Sequence, residues 1–101
     1  MSVPQWMSVD VIEKMKAGNL QIIDVREPQE FEDGHIPGAK LIPLGQLDSR
    51  YQEINPDQQA VIVCRSGGRS SVACDFLSRV GYQNIHNLMG GMNAWNGEVA
   101  Y

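Results

Sequence analysis

The chain has 101 residues, 43% of them hydrophobic and 20% charged, with a formal net charge of -4 at pH 7. That length supports one compact core and is too short for two, so a single domain over residues 1–101 is expected. The acidic balance removes any general electrostatic reason to bind nucleic acid or an anionic membrane, so an anion site must be built locally, against the overall sign.

No apolar run approaches the length of a membrane span. The opening "MSVPQWMSVD" has no basic region followed by an apolar stretch, so no signal peptide is expected. Two cysteines, Cys64 and Cys74, are too few for a disulfide scaffold, and a reducing, cytoplasmic setting is the expectation.

Along the chain, Ser8 reads as the N-cap of a helix in "VDVIEKMKAG". Val11, Ile12 and Met15 share one face there, and Gly18 closes it. "QIIDV" (21–25) is a short β-branched apolar run, which predicts a buried strand. "EPQEFEDG" (27–34) suits a turn or two of helix, with Pro28 at its start and Gly34 after it. A brief strand is expected from Lys40 to Ile42, stopped by Pro43. Leu47, Tyr51 and Ile54 have helical spacing within residues 45–54. "QAVIVC" (59–64) is the most apolar strand. Ala73, Phe76, Leu77 and Val80 then predict an amphipathic helix over 70–81. "NIHNL" (84–88) predicts another strand, and "GGMNAW" (90–95) a short final helix. Strands alternating with helices imply an α/β fold whose sheet is mainly parallel and covered on both faces. In such folds the site lies beyond the carboxyl ends of strands, where Asp24 and Cys64 both fall.

The segment "VIVCRSGGRSS" (61–71) carries the chemistry. Gly67 and Gly68 let successive backbone N–H groups turn inward as an anion-binding nest. The next helix adds the positive end of its dipole. Arg65 and Arg69 add formal charge, and Ser66 and Ser70 complete the loop. Each of these favours a thiolate, so the Cys64 pKa should fall below the free value. The competing reading is a buried strand cysteine before a glycine-rich turn, which leaves two arginines without a task. Cysteine-dependent phosphatases are known for a Cys-x5-Arg loop. Here Arg69 is five positions after Cys64, giving Cys-x4-Arg with Ser70 at the sixth. The tighter ring suits a terminal sulfur better than a phosphate.

With these residues in hand, the chain resembles the rhodanese family of sulfurtransferases over nearly its whole length. "CRSGGRS" looks like the family's active-site loop, "IIDVREPQEFEDGHIPGA" like its upstream signature and "NLMGGMNAW" like its C-terminal signature. The resemblance implies the rhodanese-like fold with a five-stranded parallel sheet, in a stand-alone domain. It also implies a ping-pong reaction needing no cofactor and no metal. Cys64 would take a sulfane sulfur from a donor such as thiosulfate, forming a persulfide, and pass it to a thiophilic acceptor such as cyanide or a low-molecular-weight thiol. A protein persulfide would also suit the loop as a partner. The runners-up are a small phosphatase or arsenate reductase on the same fold, and a partner-binding module without catalysis. The intact Cys64 loop argues against the module.

The remaining candidates read mainly as structural. Asp24 and Arg26 are expected to support the site, the carboxylate satisfying loop N–H groups and the arginine pairing with an acid. His35 fits a turn hydrogen bond better than a general base, and His86 lies in a strand pattern. Two separated histidines with two cysteines ten apart do not make a zinc site. Cys74 falls inside the helix, carried away from the loop, and reads as a packing residue rather than a resolving thiol. Met89 and Trp95 read as packing groups, with Gly90 and Gly91 letting their segment approach the site.

Overall fold

The computed structural model describes residues 3–101. Its sheet contains β1 (Gln5–Trp6), β2 (Gln21–Asp24), β3 (Lys40–Leu41), β4 (Ala60–Val63) and β5 (Ile85–Leu88), in the order β1-β5-β4-β2-β3. Every pairing is parallel, so the expected mainly parallel sheet is wholly so. All four residues of central β4 are buried, which is why that stretch is continuously apolar rather than alternating. The two-residue β1 is too short to leave a periodic signal in the sequence. It forms because Trp6 accepts from Met89 N–H at 2.8 Å and Pro4 from Asn87 N–H at 3.0 Å along the edge of β5.

Side chains alternate between the two faces of the strands. Ile23, Ile62 and Ile85 pack with Leu47, Ala73, Cys74 and Leu77 on one face. Ile22, Val61, Val63 and Leu88 pack with Val11, Met15 and Trp95 on the other. The first face is covered by α3 (Leu47–Arg50) and α4 (Gly68–Arg79), the second by α1 (Ser8–Ala17) and a 3-10 turn at Gly91–Ala94.

Three local expectations need correction. Ser8 is the first residue of α1, not its cap. Met7 is the N-cap, its N–H bonded at 2.8 Å to Asp10 Oδ2, and the buried Ser8 hydroxyl instead accepts from Asn96 N–H at 2.9 Å. Residues 45–54 do not make the one helix expected. They run as a 3-10 turn, the short α3 and a second 3-10 turn. The helix expected from Ser70 begins at Gly68, because Gly67 takes the N-cap with φ 106° and accepts from Ser71 N–H at 3.1 Å. Only three residues therefore separate Cys64 from the helix.

The chain runs from β2 to β3 on one side and then crosses to β4 on the other. The topological switch point thus lies between the carboxyl ends of β2 and β4, where Asp24 stands beside Val63 in register. No helix of the described residues is long and apolar enough to cross a membrane.

Candidate active site

Cys64 follows the last residue of β4 and is 1% exposed. Its Sγ accepts from Gly67 N–H at 3.0 Å and lies 3.3 Å from Ser70 Oγ. Burial alone would push this thiol up. The Ser70 hydroxyl and the amides of Ser70, Gly67 and Ser66 outweigh that and hold it below the usual thiol range. The nest read from the glycines is therefore present, with the N-terminus of α4 aimed at sulfur.

The two arginines sit differently. Arg69 is the second residue of α4 and forms a bidentate pair with Glu30 of α2 (Pro28–Glu32), at 2.7 Å to Oε1 and 2.8 Å to Oε2. That pairing holds the Glu30 carboxyl at about 2. Arg65 is exposed and makes no ion pair among the described residues. The groups that most lower the Cys64 pKa are a hydroxyl and amides, and Arg69 acts on it only as a charge at a distance. Gly68 opens α4 and is exposed, as is Ser66.

Behind the loop lies a polar chain that the sequence reading missed. Ser70 Oγ is hydrogen-bonded to Asn87 Oδ1 as well as to Gly67 O at 3.1 Å. Asn87 Nδ2 donates to Gln5 Oε1 and to Ser71 Oγ, both at 3.0 Å, which orients the amide with its oxygen toward Ser70. Asn87 is 3% exposed on β5. A polar residue in an otherwise buried parallel strand was the available signal, because such a side chain needs partners.

Asp24 and Arg26 are 0% and 6% exposed and form a closed unit. Arg26 Nε and Nη2 donate to the Asp24 carboxylate at 2.8–3.1 Å, and Arg26 N–H donates to Asp24 Oδ1 at 3.0 Å. Nη2 also donates at 2.8 Å to Gly34 O, tying the end of β2 to the chain after α2. The pair holds α2, and with it Glu30, against the sheet end rather than touching Cys64.

The segment after β5 closes over the loop. Met92 N–H donates to Cys64 O and Asn93 N–H to Arg65 O, each at 2.9 Å. Gly91, at φ 58°, lies so close that a Cβ would stand 2.5 Å from Cys64 O. Trp95 packs in the core as expected, whereas Met89 is 49% exposed and does not. Cys74 is 1% exposed, and burial first, then Asp75 and Cys64, pushes its thiol up to about 12. His35 stacks on Phe31 and bonds Phe31 O through Nδ1 at 2.8 Å, while His86 stacks on Trp6. Neither contact involves the loop.

Residues 8–98 match the rhodanese-like domain family. A sulfurtransferase of Allochromatium vinosum is 43% identical over 73% of this chain and 69% of its own. The YqhL protein of Bacillus subtilis is 45% identical over 86% of this chain and 71% of its own. A rhodanese-like domain protein from Staphylococcus aureus superposes with a TM-score of 0.87, at 32% identity, covering 95% of this chain and 94% of that one. Matching the family model over residues 8–98 and superposing on a rhodanese-like neighbour over 95% of its length, the chain belongs to the rhodanese-like domain family of sulfurtransferases.

Proposed function

We propose that this protein transfers sulfane sulfur through a persulfide on Cys64. The observation that carries the reading is Cys64 Sγ, buried at a strand end yet drawn below its ordinary pKa by the Ser70 hydroxyl and the surrounding amides, with Gly67 N–H at 3.0 Å. A thiolate stripped of water is a strong nucleophile, and the same donors receive the charge of the product. With thiosulfate, Cys64 sulfur attacks the outer sulfur. The Cys64 S–S bond forms, the S–S bond of thiosulfate breaks, and the electron pair leaves with sulfite. The enzyme persulfide carries the single negative charge that the thiolate brought. Cyanide or a thiol then takes the outer sulfur and restores the Cys64 thiolate. The added sulfur extends about 2 Å from Sγ, still within a ring of amides.

Asp24, Arg26, Arg65 and Arg69 support the loop without forming bonds to the transferred atom. Against the phosphatase reading stands Arg69, the cation that would have to face an oxyanion, whose two terminal nitrogens are bound to Glu30. The test is intact-mass spectrometry of the protein before and after thiosulfate, and again after cyanide. Gain of one sulfur and its loss as thiocyanate are expected, with no gain in Cys64→Ser. Sulfur gained equally by Cys64→Ser would overturn the assignment.

A further inference from the structure

Building on the sulfur-transfer reading above, we propose that Glu30 sets the donor class. By holding Arg69 it withdraws one of the loop's two cations, so that Cys64 takes sulfur from alkyl persulfides, neutral or monoanionic, in preference to dianionic thiosulfate.

The geometry is specific. Arg69 immediately precedes Ser70, whose hydroxyl touches Cys64 Sγ, and its guanidinium is near enough for the Cys64 charge to act on it. Both of its terminal nitrogens are spent on Glu30, at 2.7 and 2.8 Å. Glu30 is fixed further, its Oε1 also accepting from Glu27 N–H at 3.0 Å. The pair is half-buried, at 35% and 27% exposure, and is less screened than a surface pair. The rest of the flank has the same sign: residues 27–33 contain Glu27, Glu30, Glu32 and Asp33 and no basic residue. A bidentate guanidinium offers a second anion little beyond its residual field, which the paired carboxylate cancels at short range.

Thiosulfate enters this mouth with two negative charges, and sulfite leaves it with two. An alkyl persulfide avoids both costs. Cys64 thiolate attacks its outer sulfur, the Cys64 S–S bond forms and the donor's S–S bond breaks. The electron pair leaves on the donor's thiolate, which carries one charge away while the proton stays on the new persulfide. No oxidant or reductant is consumed.

The experiment compares single-turnover rates of sulfur gain on Cys64, read by intact mass, with thiosulfate and with cysteine persulfide as donors. Glu30→Gln should raise the thiosulfate rate constant about five- to tenfold, the size of one freed charge acting on a dianion near the surface. The cysteine persulfide rate should stay within about twofold. Glu30→Ala repeats the test without an amide oxygen able to hold Arg69. Adding Arg69→Gln to either variant should remove the gain. An unchanged ratio of thiosulfate to persulfide rates in both Glu30 variants would overturn the inference while leaving sulfur transfer intact. Failure of the unaltered protein to gain sulfur from either donor would overturn the sulfur-transfer reading instead.

Discussion

Ser70 Oγ lies 3.3 Å from Cys64 Sγ and is hydrogen-bonded at the same time to Asn87 Oδ1 and Gly67 O. The hydroxyl has one hydrogen and several neighbours that can take it. While Cys64 is a thiol, its S–H can donate to Oγ and the serine hydrogen serves Asn87 or Gly67. Once Cys64 is a thiolate, the same hydrogen can turn to sulfur. The hydroxyl bonds both forms but donates its hydrogen only to the anion, and the stronger bond to the charged form lowers the pKa. Its orientation is prepared by Asn87, itself held by Gln5 of β1 and Ser71 of α4.

Ser70→Ala should therefore raise the Cys64 pKa and shift the whole alkylation profile to higher pH. Below the new pKa less thiolate is present, so sulfur gain at neutral pH should slow about tenfold, the worth of one hydrogen bond to a charged group. Iodoacetamide alkylation rate against pH gives the direct reading. A profile superimposable on that of the unaltered protein would leave the amides alone as the cause.

Gly91→Ala should cost both stability and activity. The residue has φ 58° and no room for a Cβ, which would meet Cys64 O at 2.5 Å and Arg65 C at 2.6 Å. The contact is with backbone, so no side chain can swing aside, and the loop itself must move. A loss of at least about 2 kcal/mol is expected from strained conformation and displacement together. Urea unfolding measures the first effect and sulfur gain on Cys64 the second. Gly90→Ala makes a comparison, since there a Cβ would meet the side chain of Ala94 at 2.7 Å rather than the loop. Full activity in Gly91→Ala would show that the closing segment does not hold the nest in shape.

Cys74→Ala should retain most sulfur transfer. Its thiol is 1% exposed among core side chains and is pushed up to about 12, so it is protonated at working pH and cannot resolve a persulfide. Denaturation should register the small cavity left by the missing sulfur. Sulfur transfer lost as completely as in Cys64→Ser would identify Cys74 as a second reacting thiol.

Much of the site can be read locally. Cys64, Gly67 and Ser70 stand within seven residues of one another, so strand end, turn and helix start place amides around sulfur with little help from the rest of the fold. The same is true of Asp24 and Arg26, two residues apart at the end of β2. The strand β1 was not legible, because two residues carry no period and their pairing with β5 depends on where that distant strand lies.

Charge at the mouth belongs wholly to the tertiary structure. Sequence shows two arginines in the loop and cannot say what they face. Folding brings Glu30 to Arg69 from 39 positions away, and amides and a hydroxyl touch the sulfur while Arg69 adds charge only from a distance. Asn87 reaches Ser70 across 17 positions in the same way. Local sequence determined the proposed nucleophile and its cradle because those contacts are set by backbone geometry over a few residues. The partners of long polar side chains were decided only when β2, β4 and β5 were laid side by side, since hydrogen bonds and ion pairs depend on distance in space and leave no periodic trace along the chain.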